Sequence, residues 1–121
     1  MYDGITLTVP ARQSALTVVR LTTAGAAARG DMDMETLEDV KTAVYEACYA
    51  MAVQKYAPQY LTLTFAPGDV FSVTIRGEGA LCETGGRLPD LELCNAVLTT
   101  MIPCAKVIAE QGSIRRIELH G

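Results

Sequence analysis

No apolar run in this sequence approaches the roughly 18 residues needed to cross a bilayer. Its N-terminus, Met1-Tyr2-Asp3-Gly4, lacks the form of a signal peptide. A soluble, cytoplasmic chain with no membrane partner is therefore expected. Basic character is missing too: 10 Lys and Arg stand against 14 Asp and Glu, for a formal net charge of −4. A nucleic-acid binder would carry a basic stripe, so that class is set aside and a basic or neutral protein partner suits the charge better. Histidine is nearly absent, and His120, next to the C-terminus, reads as a solvated tail residue. Cys48, Cys82, Cys94 and Cys104 include no Cys-x-x-Cys pair, which argues against zinc ligation. Cys48 and Cys94 fall inside apolar helical patterns, where cysteine behaves as a small hydrophobe, so reduced, buried thiols are expected. No internal repeat or low-complexity segment occurs.

What is present is an ordinary globular composition. Half the residues are apolar and a fifth are charged, which excludes disorder. At 121 residues the chain is expected to form one domain spanning 1–121, burying roughly 65 per cent of its unfolded surface.

In chain order, Ile5, Leu7 and Val9 alternate with Thr6 and Thr8, a strand that Pro10 closes. From Arg12 to about Arg29 the pattern turns helical, with Leu16, Val19, Thr23 and Ala26 on one side and Val18, Leu21 and Ala28 on others. A helix apolar nearly all round is covered on more than one face: it lies deep in the domain or meets another chain. Gly30 and Asp31 break it, and Asp33 can cap a second helix from about Met34 to Tyr56, with Pro58 beyond. Leu61, Leu63 and Phe65 alternate with threonines, Ala66-Pro67-Gly68-Asp69 makes a turn, and Phe71, Val73 and Ile75 return. Gly77, Gly79, Gly85 and Gly86 mark a loop. A third helix starts near Asp90, with Leu91, Cys94, Val97 and Leu98 at helical steps and Pro103 near its end. Val107-Ile108-Ala109, a turn at Gln111-Gly112-Ser113, and Ile114 to Leu119 form a last hairpin. Strand, two helices, hairpin, helix, hairpin predicts an α+β, two-layer sandwich.

The second helix organises the rest. Val40, Val44, Ala47, Cys48 and Met51 form its apolar stripe, while Asp39, Ala43, Glu46 and Ala50 share a different face. Glu46 is the acid beside small neighbours on that face. It is either a solvated helix acid or a carboxylate placed to act as a base or hold a metal-bound water.

Val9-Pro10-Ala11, Val19-Arg20-Leu21-Thr22 and Leu37-Glu38-Asp39-Val40-Lys41-Thr42-Ala43-Val44-Tyr45-Glu46-Ala47-Cys48 resemble the anti-sigma factor/serine-kinase branch of the GHKL ATPases. The resemblance covers most of the chain, is strongest from Val9 to Val53, and implies the Bergerat (histidine-kinase-like ATPase) fold with a mostly antiparallel sheet. In that family the second helix carries a glutamate that activates water or the phosphoacceptor hydroxyl, and Glu46 matches it. Four residues on, an asparagine ligates magnesium. That position is Ala50, whose methyl group offers a hard cation no lone pair, so no metal ligand is expected. An aspartate-x-glycine that holds adenine corresponds to Gly77-Glu78-Gly79, with Gly77 in the aspartate's place. Glu78 is one residue off. The glycine-rich lid before the last helix survives only as Gly85-Gly86-Arg87-Leu88-Pro89, after a segment too short to cover a nucleotide.

The resemblance therefore implies a degenerate, lidless ATP site, with Gly77, Gly79, Gly85 and Gly86 as its remnants and Glu46 as a relic of the general base. No cofactor is expected, ATP and magnesium entering only if the chain is an active serine/threonine kinase of the anti-sigma type. The function implied is a homodimeric regulator that binds a sigma factor or an anti-anti-sigma antagonist. Arg20 occupies the arginine position of the first-helix motif, with Val18 and Leu21 beside it, as the partner surface. Arg20 reads equally well as a surface arginine laying its stem over the apolar stripe. A purely structural dimerising module is the remaining alternative.

Overall fold

The computed structural model describes residues 4–28, 32–66 and 71–120. The break expected at Arg29, Gly30 and Asp31 and the turn at Pro67-Gly68-Asp69 lie outside the described residues, as does Met1-Tyr2-Asp3.

Five strands form an antiparallel sheet: β1 (Ile5–Pro10), β3 (Tyr60–Ala66), β4 (Ser72–Glu78), β6 (Cys104–Glu110) and β7 (Ser113–His120), in the order β1-β3-β4-β7-β6. Two short strands, β2 (Tyr56–Ala57) and β5 (Cys82–Glu83), pair with each other apart from it. Three α-helices, α1 (Leu16–Ala27), α2 (Met34–Val53) and α3 (Leu91–Thr99), complete an α+β, two-layer arrangement. None of the described helices is long and apolar enough to cross a membrane.

The alternation of the strands sets the core. Leu61, Leu63 and Phe65 stand opposite Val9, Leu7 and Ile5 on β1, and Ile75 and Val73 on β4 face Leu63 and Phe65. Ile117 and Leu119 extend the same row through β7. Because side chains alternate across a strand, these apolar residues share the helix-facing side and the threonines take the other. Thr8 and Thr62 there pair hydroxyl to hydroxyl at 3.2 Å.

Helix α2 packs on β4 and β7, α1 on α2 and β1, and α3 chiefly on edge strand β6. Asp33 caps α2 as expected, accepting from the Thr36 N–H at 2.7 Å, and that hydrogen bond pulls its carboxyl below the usual range. Asp90 caps α3 through the Leu93 N–H in the same way. The first helix departs from expectation at its start, where a 3-10 turn over Gln13–Ala15 follows Pro10 before α1 begins.

Three further points of detail emerge. Helix α2 ends at Val53 and not near Tyr56, because Gln54 turns extended (ψ 161°) and its side chain bonds to β7. The face of α2 that carries Ala43, Glu46 and Ala50 is not evenly covered: Ala43 is fully buried, whereas Glu46 and Ala50 are half-buried. Only Cys48 among the thiols is buried; Cys94 is half-buried, and Cys82 and Cys104 are exposed, one on β5 outside the main sheet and one opening edge strand β6. All four are free thiols. His120 is exposed as expected, although it ends β7 opposite Ser72 and Cys104.

Candidate functional site

A cleft of about 430 Å³ opens between α2 and α3. Helical periodicity puts Glu46, Ala50 and Val53 on one wall at offsets of four and three, with Tyr49 beside them. Leu93, Cys94, Val97 and Leu98 of α3 make the opposite wall, the segment 87–90 closes one end, and Ile114 of β7 contributes between.

The closing segment is tied to the end of α2 by backbone. Lys55 N–H donates to the Arg87 carbonyl at 2.8 Å, and Thr84 N–H donates to the Lys55 carbonyl at 2.9 Å. The Thr84 hydroxyl donates to the Gln54 carbonyl at 2.7 Å and accepts from the Gly86 N–H at 3.0 Å. Chain passes so close here that a Cβ on Gly86 would lie 2.1 Å from the Val53 carbonyl oxygen, which only glycine avoids. Gly85, with φ +84°, supplies the left-handed turn before it.

Gln54 is the hinge pin of this end. It is buried, and its amide donates to the carbonyls of Met51 and Ile114 at 3.0 and 3.1 Å while accepting from the Ile114 N–H at 2.7 Å. One side chain thus satisfies both backbone groups of a strand residue that lies beyond the β4 pairing. Ser113 adds a bond to the Tyr56 carbonyl at 3.0 Å.

The charges in the cleft are few. Among the described residues no ion pair or hydrogen bond engages Glu46. Its carboxylate shares the cleft lining with Cys94, whose thiol is pushed up first by burial and then by the negative charge of Glu46. Both effects disfavour the thiolate, so Cys94 is not an activated nucleophile. Among the described residues no three His, Cys, Asp or Glu side chains converge to hold a metal ion.

The structure distributes the sequence candidates over four places. Glu46 and Ala50 meet in the cleft, one helical turn apart. Gly77 does not line it. A Cβ there would sit 2.7 Å from Pro58 Cγ and 3.4 Å from Met51 Cε, so the proline ring occupies the space against β4. Gly79 (φ +86°) turns against the Gln59 side chain, and Gly85 and Gly86 serve the backbone ties just described. Arg20, Val18 and Leu21 belong to α1, away from the cleft lining; the Arg20 guanidinium lies 5.5 Å from the ring centre of Tyr45, which stacks with Tyr49. Val18 and Leu21 are 48% and 69% exposed.

Sequence reasoning missed Gln54, Arg87 and Leu93. Leu93 carried a signal, since it falls off the stripe of Leu91, Cys94 and Leu98 and makes α3 apolar on two sides. Gln54 carried none. No protein-family model matches the chain, and no curated protein matches it.

Proposed function

We propose that this chain is a regulator of the anti-sigma type on a degenerate Bergerat-like scaffold, acting by binding protein and not by phosphoryl transfer. The observation that carries the reading is the pairing of Glu46 with Ala50 in the α2 wall of the cleft. A carboxylate stands where a base would be wanted, and a methyl group where a magnesium ion would need an oxygen donor. Two further contacts point the same way. The Pro58 ring fills the space at Gly77, and the Gly86 N–H is spent on the Thr84 hydroxyl. The residues present therefore do not fit Mg-ATP. Charge-assisted contacts of these kinds are each worth more than about 1 kcal/mol, so losing three removes several decades of affinity. Phosphoryl transfer depends on metal and positioning more than on a base, which leaves Glu46 nothing to act on.

The partner surface in this reading is the outer side of α1, where Val18, Leu21 and Arg20 are exposed together. Its partner is a sigma factor or an antagonist of that interaction, bound by a cytoplasmic homodimer. The rival, an active serine/threonine kinase, draws on Glu46 alone.

Thermal melting with 1 mM Mg-ATP separates the two. A micromolar binder would gain about 4 kcal/mol at roughly 1,000-fold excess, or roughly 12–20 °C in Tm for a domain of this size. No shift is expected, and none in Ala50→Asn, because Pro58 still blocks Gly77. A nucleotide shift in the unaltered chain sinks the proposal. Retention of the host's purified sigma factor on the immobilised protein, lost in Leu21→Asp, is the positive counterpart.

A further inference from the structure

The α2–α3 cleft is open and lined mainly by aliphatic side chains. We infer that this cleft is a binding site for a small organic cation, an ammonium group carried on an apolar body. Its volume of about 430 Å³ falls within the range of small-molecule sites, roughly 300–1,000 Å³. Val53, Leu88, Leu93, Val97, Leu98 and Ile114 give it a largely aliphatic lining. Burial of an apolar body there is the source of affinity.

The sign of the charge follows from a process of elimination among the polar groups. The Gln54 amide is saturated by Met51 and Ile114. Asp90 has its Oδ1 on the Leu93 N–H as the cap of α3. Arg87 also lines the cleft but is exposed, and its backbone, bonded to Lys55, joins the far end of α2, roughly 12 Å along the helix axis from Glu46 at 1.5 Å per residue. Asp90, the other charged residue of segment 87–90, is of opposite sign, so that segment carries no net charge. Glu46 remains. It is half-buried, engaged by no described ion pair or hydrogen bond, and close enough to Cys94 to perturb its thiol.

A neutral apolar ligand would strip water from that carboxylate and return nothing, and an anion would be repelled. An ammonium group returns a charge-assisted hydrogen bond. Tyr49, exposed on the same wall and stacked on Tyr45, adds an aromatic surface beside that carboxylate. The inference does not rest on the regulator reading, because it needs neither a protein partner nor a lost nucleotide.

An NMR titration of the full chain with phenylbutylamine and its isostere phenylbutyrate tests it. The amine is expected to bind at least about tenfold more tightly, a factor of ten being 1.4 kcal/mol. Its amide shifts should cluster at Ala50, Val53, Leu93 and Val97. Glu46→Gln should abolish the preference, while Arg87→Gln should keep it. Equal affinity for the two probes, no binding of either at millimolar concentration, shifts centred elsewhere, or a preference that survives Glu46→Gln would each overturn the inference. Mg-ATP melting reads the regulator proposal independently, so either can fail alone.

Discussion

Helices α1 and α3 each carry apolar residues on more than one side, yet the fold treats them differently. Helix α1 buries Leu16, Val19, Thr23, Ala26 and Ala27, whereas α3 buries only Leu98 and leaves Leu91, Leu93 and Val97 exposed. The cause is the platform beneath each. Helix α1 is held by α2 and β1 together, and its buried Thr23 hydroxyl is satisfied by the Val19 carbonyl at 2.7 Å. Helix α3 sits on β6, the last strand of the sheet, which has a neighbour on one side only. Half of an apolar helix there must face the cleft or water. Apolar pattern alone therefore locates a helix but not how much of it is covered.

Truncating one leucine on each helix gives the largest contrast. Leu16→Ala should lower stability by about 2–5 kcal/mol, the range for a buried leucine, while Leu93→Ala, at a site 61% exposed, should stay within about 0.5 kcal/mol. Denaturant unfolding measures both, and equal losses would erase the distinction between the helices.

The thiols sharpen the same contrast. Burial pushes the Cys48 thiol from its ordinary 9.0 up to about 12. The folded chain therefore keeps a proton that the unfolded chain releases above pH 9, and the stability present below that pH is lost as pH rises toward 12. The slope should approach about 1.4 kcal/mol per pH unit in that window. Cys48→Ala should flatten it, and Cys94→Ala should change it less. A slope that persists in Cys48→Ala would assign the alkaline loss to other groups.

Gln54→Leu comes next. It leaves the Ile114 N–H and carbonyl without their partner, at about 1–3 kcal/mol, read by the same unfolding. It should also loosen the α2 end of the cleft, visible as faster amide exchange at Lys55 and Ile114. Two glycines act in opposite directions, and the smallest effect is at Gly25. Gly25→Ala, where a Cβ meets nothing within 4 Å, should stabilise α1 by about 0.4–1 kcal/mol. Gly86→Ala should destabilise, because its Cβ collides with the Val53 carbonyl.

Much of the scaffold was legible before any coordinates. The alternation of Leu61, Leu63 and Phe65 against threonine fixed which face of β3 is buried, and Asp33 marked the start of α2 because a short acidic side chain satisfies an unpaired N–H. Glu46 and Ala50 could be put on one helical face from spacing alone, and they do share a wall. The full burial of Ala43 on that face could not be read, because a small side chain reads equally as surface or core until a neighbour is placed against it.

Local pattern by itself determined the helices, the strands and their inward faces, because periodicity and capping act within a few residues of the chain. Only the tertiary structure decided that Pro58 closes on Gly77, that Gln54 ties α2 to β7, and that α2 and α3 leave a cleft between them. Each of these joins residues far apart in sequence, and such contacts leave no trace in local spacing because their partners meet only after the sheet has formed.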